Sequence, residues 1–465
     1  SSAEGGALYI AGEANLDNVK IFENLAKNEG GGIYLVENAI ASLTGGSSIT
    51  DNTSLASGGG IHSDGSLTID GGVISNNRVS SENSAVPTLG GGLYISDIGE
   101  ANISSVNISA NTAESGGAGI YTAGLLTLTA SSVIGQDSLI TGVIDSERGT
   151  GIYTADTGHA TLTDVQVADN NAIEQGGGIY NLGTLETLNG TLDRNNAVLG
   201  GGIYNLGTLD RQGGSLNNNR AELGGGIYNE GFAELQESAL NENVAEQEGG
   251  GIYNLGTLEM IDGSLNQSGL NDNNAVQEGG GIYNSGTLEM INGSLNRNGA
   301  EQGGGIYNQS VLKLQGTSVN ENMAANGGGI YNDGAAELTN VDFFTNEAGQ
   351  GGGIFNKGGS DVPESGLETL QDGLVITTDV RFGGNKAEQG AGIYSEGGLF
   401  IDDANFESNV VSAETITDEL RGGGAYIAGG NAEIRNSTFS KNTAPSSGAG
   451  IYNEAVLTLL DSALI

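Results

Sequence analysis

Cysteine and tryptophan are absent from this chain, and only 3 of its 465 residues are proline. Without cysteine there is no disulfide scaffold, no thiolate zinc site and no cysteine nucleophile. With so little proline, neither a collagen helix nor a polyproline linker fits. Positive charge is scarce as well: 15 Lys plus Arg stand against 57 Asp plus Glu, a formal net charge of −42. Such a chain repels phosphate backbones and anionic lipid, which argues against nucleic acid and membrane-surface partners. No apolar run reaches the roughly eighteen residues of a spanning helix, so direct membrane insertion of this segment is not expected, and no basic and apolar leader opens the sequence. Charged residues are only 15% of the total, too few for a charge-expanded disordered polymer.

What is abundant is glycine, 83 residues of it, and it recurs in a repeat. The block Gly176-Gly177-Gly178-Ile179-Tyr180-Asn181 returns with tyrosine at Tyr204, Tyr228, Tyr253, Tyr283, Tyr307 and Tyr331, and with Phe355 in its place once more. Looser copies carry Tyr9, Tyr34, His62, Tyr94, Tyr121 and Tyr153 before this region and Tyr394, Tyr426 and Tyr452 after it. The chain has 15 tyrosines, and every one occupies this motif position, so the position and not the composition explains them. A second signature closes the unit: Phe343 with Asn346, Phe382 with Asn385, Phe406 with Asn409 and Phe439 with Asn442, each an apolar residue followed three places later by Asn.

Between the motifs lie short apolar patches with a period of two, punctuated by Gly and Asn, which read as strands and not helices. A unit with three such strands cannot bury an apolar face alone and must stack on copies of itself. The expected fold is all-β: a parallel, right-handed β-helix solenoid of about seventeen coils, three short strands per coil, rising about 4.8 Å per coil into a rod of roughly 80 Å. The chain reads as a single solenoid over 1–465, with irregular coils and insertions over 1–175, regular coils of 24–30 residues over 176–357, and irregular coils over 358–465 with a long insertion at 357–389.

Stacking assigns roles. Ile179, Ile203, Ile227, Ile252, Ile282, Ile306 and Ile330 form an inward ladder. Alternation turns Asn181, Asn205, Asn229, Asn254, Asn284, Asn308 and Asn332 inward too, where stacked amides satisfy one another; Asn195, Asn219 and Asn243 form a second such ladder. Tyr180, Tyr204, Tyr228, Tyr253, Tyr283, Tyr307 and Tyr331 then run outside as an aromatic stripe, either open to sugar rings and neighbouring chains or packed flat on one another.

The Gly-Gly-x-Ile and Phe-x-x-Asn pair resembles the repeat of the chlamydial polymorphic outer-membrane proteins and related bacterial surface proteins, with Gly where that repeat has Ala at its third place. The resemblance implies a β-helix passenger displayed at the cell surface or extracellularly and acting in adhesion and surface coating.

Chemistry is harder to find. Adjacent Asp402 and Asp403 would face opposite sides of a strand, His62 and His159 lie about four coils apart, and no Ser-His-Asp set or carboxylate cluster stands out. No catalytic, cofactor-binding or metal residues are therefore assigned, no cofactor is expected, and calcium enters only as an incidental ion at acidic loops such as Glu364 to Asp372. Sequons at Asn52, Asn102, Asn107, Asn189 and Asn436 carry little weight in so Asn-rich a chain. The expected function is a non-enzymatic extracellular structural protein, an adhesin-type rod or a head-to-tail fibre subunit. Its partners would be copies of itself end to end, or glycans and a host or neighbouring cell surface; the alternative is a carbohydrate-binding or polysaccharide-degrading β-helix.

Overall fold

A computed structural model describes residues 2–80, 87–134, 147–261, 269–358, 373–412 and 420–465. Its contacts divide the chain into two compact units, Ser1–Ala233 and Glu234–Ile465. Both are parallel β-helices, and no helix occurs among the described residues.

In the first unit the coil around Tyr204 shows the plan. Strands Ile203–Asn205, Thr208–Gln212 and Ser215–Asn217 follow one another. Each pairs in parallel register with its equivalent one coil earlier, Ile179 with Ile203, Leu185 with Leu209 and Leu192 with Leu216. The second unit repeats the plan with Ile306–Asn308, Val311–Gln315 and Ser318–Asn320, where Ile282 meets Ile306 and Leu288 meets Leu312. Three strands per coil were expected; some coils add a fourth, such as Arg220–Leu223 after Ser215–Asn217, and Val244–Glu248. Residues just ahead of the glycine cluster bridge between coils, as Leu199 does with Leu223 and Gln302 with Asn326, because stacking leaves their backbone groups one coil apart as well.

The interior follows the ladders. In the first unit Ile179, Ile203 and Ile227 are 0% exposed; in the second Ile252, Ile282 and Ile306 are 0% and Ile330 is 1% exposed. Phe343, Phe382, Phe406 and Phe439 stack inside the second unit with centroids 4.9, 4.5 and 4.3 Å apart. Pro87 and Pro445 lie outside the strands, where no ladder N–H is lost. Pro363, most of the insertion at 357–389 and the acidic stretch Glu364 to Asp372 lie outside the described residues.

The glycine cluster makes the tightest corner. Gly200 has φ +63°, and a Cβ there would stand 2.3 Å from the Ile203 carbonyl oxygen. A second corner, directly before the ladder asparagines, is mostly taken by other residues: Arg194, Asn218, Arg297 and Thr345 have φ between 54° and 57°, with Gly384 at 62° before Asn385. That left-handed conformation costs about 1 kcal/mol or more per residue. The ladder asparagine of the next coil holds it in place through the bonds described next.

One side chain breaks the apolar interior. Arg211 aligns with Thr187 in the middle strand, where the second unit aligns Met260 with Met290, and it is 0% exposed. Its guanidinium donates to the Thr187 hydroxyl at 3.1 Å and to the Gly190 carbonyl at 2.8 Å, and Nε has no partner. Burial alone draws its pKa down to about 10, so it remains a cation at neutral pH with no carboxylate beside it. Arg211→Met should therefore raise stability, by about 1–3 kcal/mol in chemical denaturation. A loss of stability would mean that the two hydrogen bonds outweigh the buried charge.

Candidate functional site

The polar groups that sequence reasoning singled out are brought together in three columns, and each column joins one coil to the next. In the first, Asn205 accepts the Asn181 amide at 2.8 Å and donates to the Asn229 oxygen at 2.7 Å and the Phe232 carbonyl at 3.0 Å. The second unit repeats this from Asn254 through Asn284 and Asn308 to Asn332, at 2.8 Å each, and continues to Asn356 and the Ser395 hydroxyl at 3.0 Å. All of these asparagines are 0% exposed.

The second column explains the apolar-x-x-Asn signature. Asn385 accepts both the backbone N–H and the side-chain amide of Asn346 at 3.0 Å, donates to Asn409 at 3.0 Å, and donates to the Phe343 carbonyl one coil earlier at 2.8 Å. The same relation joins Asn195 to Asn219 and to the Val167 carbonyl. Asn243 sits in the same ladder of the second unit, against Asn273 at 3.1 Å. Each amide therefore brackets the left-handed residue of the coil before it, as Asn385 does Thr345 by bonding the Phe343 carbonyl and the Asn346 N–H, and ties its coil to both neighbours. Asn52, one of the sequons, is a member of this column at 0% exposure and has no free amide for a glycan.

The third column is aromatic, and here one form of the stripe is corrected. The rings point away from the core, yet Tyr180 and Tyr204 are 4% exposed and Tyr228 is 6%, and in the second unit Tyr283, Tyr307 and Tyr331 are 7, 5 and 6% exposed. Tyr253 is half-buried. Rings lie face to face at centroid spacings of 5.2 Å for Tyr180 and Tyr204 and 4.6 Å for Tyr253 and Tyr283, because parallel register sets equivalent side chains about one strand spacing apart. A ring so covered cannot stack on a sugar. Residues two places after the next motif position close the hydroxyl side: Tyr204 donates to Glu230 at 3.1 Å, Tyr283 to Gln309 at 2.8 Å and Tyr426 to Glu454 at 2.9 Å. Burial first, then neighbouring groups (Tyr94 for Tyr121, carboxylates for Tyr331 and Tyr394), push these phenols up to about 12, so these three rings stay neutral at physiological pH.

At His62, which replaces a motif tyrosine, the column holds a constellation that sequence reasoning set aside. His62 Nδ1 lies 2.8 Å from the Ser57 hydroxyl, Nε2 lies 3.0 Å from Asp64, and Tyr34 donates to the other Asp64 oxygen at 2.7 Å. Ser, His and Asp thus do meet. Burial raises the Asp64 pKa, but hydrogen bonds from His62 and Tyr34 outweigh it and bring the carboxyl down to about 2. The groups an acyl-transfer site would need are otherwise engaged. His62 is 4% exposed between Tyr34 and Tyr94, at 5.0 and 4.6 Å. The N–H groups of Gly58, Gly59 and Gly60, beside Ser57, donate to carbonyls of the next coil, so no oxyanion hole is open there. The arrangement holds an imidazole in an aromatic stack. The signal was available in the sequence: serine five places before the odd histidine and aspartate two places after it, the positions that flank the column in every coil.

The remaining candidates stay apart. His159 faces Glu186 at 3.4 Å on an exposed surface. Asp402 accepts from Asn436 at 2.7 Å, while Asp403 occupies a left-handed turn at φ 62°. Among the described residues no three His, Asp or Glu side chains are grouped to hold a metal ion.

No curated protein matches the chain. Residues 436–454 match the Chlamydia polymorphic membrane protein repeat. That stretch contains Phe439 and Asn442, which stand in the aromatic core stack and the second amide column, and the corner Gly448-Ala449-Gly450-Ile451. The chain is therefore an all-β parallel solenoid in which residues 436–454 match the repeat of a surface-associated membrane protein family.

Proposed function

We propose that this chain is the displayed, non-enzymatic part of a bacterial cell-surface protein and acts by adhesion through its outer faces. The observation that supports this reading most is the match of residues 436–454 to a polymorphic membrane protein repeat. The chemistry of the interior agrees with it. The buried asparagines, tyrosines and His62 described above are engaged in joining coils, which suits a scaffold whose variable surface does the binding. A net charge of −42 keeps such a surface soluble and turns it away from polyanions.

The reading predicts saturable binding of the purified chain to a cell surface, measured by flow cytometry with labelled protein against a monomeric acidic control. Binding that rises linearly with concentration, or matches the control, would overturn it. Tyrosine-to-alanine variants are a poor probe of contact, since the rings are covered by one another. Light scattering of the same preparation separates an isolated passenger from a subunit that assembles end to end, and turnover of a polyuronate would instead restore the enzyme alternative.

A further inference from the structure

The outward positions of the third strands in the second unit are mostly polar: Asn320, Phe344, Gly383, Glu407 and Ser440 stand in one register column, neighbour to neighbour. Phe344 is the exception, 37% exposed on a face where no packing calls for a large ring. Its position depends on Gly383. A Cβ at 383 would stand 2.4 Å from Phe344 Cε1 and 2.5 Å from Cδ1, so the ring lies across the next coil only because that residue has no side chain. Gly384 follows with no side chain either, and together the two glycines open a shallow depression of about 270 Å³ beside the ring.

The walls of the depression are polar and nearly balanced in charge. Arg381 lies 3.3 Å from Asp342 and 3.4 Å from Asp379. Glu407 accepts Lys441 Nζ at 2.5 Å. These five side chains carry one net negative charge, which disfavours sulfated, phosphorylated or sialylated ligands. Asn405 and Ser408 line the same space, and among the described residues neither side chain has a hydrogen-bond partner. An aromatic ring beside an amide, a hydroxyl and the ion-paired Arg381 and Glu407 offers an apolar surface for C–H groups and paired donors and acceptors for vicinal hydroxyls. The volume lies below that of sites enclosing drug-sized ligands and suits one ring of a glycan.

We propose that this depression is a binding subsite for a neutral sugar, with the pyranose ring resting on Phe344 and its hydroxyls meeting Asn405, Ser408 and the Arg381–Glu407 walls. The proposal rests on the adhesion reading and names the chemistry of one contact. A shallow single subsite binds in the millimolar range, and strength on a cell would come from multivalent display.

The test is saturation-transfer NMR of the full chain with glucose, galactose, mannose and N-acetylglucosamine, with heparin as the anionic arm. At least one neutral sugar should bind, and Phe344→Ala and Asn405→Ala should each weaken it tenfold or more with the melting curve unchanged. No binding of any neutral sugar, binding unaffected by both substitutions, or binding of heparin alone would overturn the subsite. Cell binding measured on the same protein keeps the two readings apart. Cell binding that persists without sugar binding removes the subsite alone, and sugar binding without cell binding removes the adhesion reading alone.

Discussion

Gly200→Ala should destabilise the first unit by about 3 kcal/mol or more. Two effects add at this residue. Its φ of +63° lies in the left-handed region, which costs an L side chain roughly 1–2 kcal/mol. The added Cβ would also stand 2.3 Å from the Ile203 carbonyl oxygen and 2.9 Å from the Tyr204 nitrogen, backbone atoms that cannot move without breaking register with Ile179 and Ile227. All copies of the motif agree with this reading of the residue. The first glycine of the cluster has positive φ from Gly5 through Gly224 in the first unit and from Gly249 through Gly448 in the second, while the place after it takes Ala118, Ala391 and Ala449. Gly12→Ala is the milder change and serves as the control, since φ there is not in the left-handed region and a Cβ would meet nothing within 4 Å, whereas one at Gly201 would stand 2.4 Å from the Arg220 carbonyl oxygen. Urea denaturation of both variants measures the difference; equal stabilities would show that the corner is not under conformational constraint.

Asn205→Leu should cost about 3–5 kcal/mol although leucine is close in size and far more apolar. Leucine at this place removes one acceptor and one donor from a closed chain of amides. The Asn181 amide loses the oxygen it meets at 2.8 Å, and the Asn229 oxygen and the Phe232 carbonyl lose their donor. Each buried group left without a partner costs about 1–3 kcal/mol, and those groups lie at 0% exposure in Asn181 and Asn229. Replacing Asn181, Asn205 and Asn229 together by leucine should recover part of this loss, since no amide among the three then faces a leucine, while the Thr208 and Phe232 carbonyls still lack their donors. Amide hydrogen exchange of the flanking strands reads the effect locally: protection should fall in the coils on both sides of Asn205 in the single variant and return in part in the triple one. Unchanged protection in the single variant would mean that the amides do not hold the coils together.

These two residues also show what the sequence could and could not reveal. The ladders were legible because stacking in register demands chemical identity at intervals of one coil, so Ile203 and Asn205 announce themselves by recurring. The tyrosines recur just as regularly, and their position outside the core was legible too, but not their burial. Exposure depends on what the neighbouring coil places over the ring, and alternation within one strand carries no information on that. Arg211 and the Ser57–His62–Asp64 group were missed for the opposite reason: each occurs once, and a method built on recurrence passes over single departures. The same holds for Phe344 and Gly383, whose relation lies across two coils joined by an irregular segment. The left-handed residues before the ladder asparagines, Arg194, Asn218 and Thr345 among them, share no residue type, since the backbone on both sides of Arg194 and Thr345 is bonded by an amide of the next coil and not by their own side chains.

The account depends on equivalent residues of successive coils lying side by side in parallel register. Because the chain has no cysteine, nitroxide labels can be placed at chosen pairs without background. Thr184 and Thr208 are register partners on the outer face of the first unit. Labels at Thr184→Cys and Thr208→Cys should show strong dipolar broadening in continuous-wave electron paramagnetic resonance, as neighbours at about 4.8 Å backbone spacing must. Labels at Thr184→Cys and Thr161→Cys, which lie one coil apart but two register places out of line, should broaden less. Sharp, unbroadened spectra from the Thr184 and Thr208 pair would contradict the stacked architecture and every role derived from it.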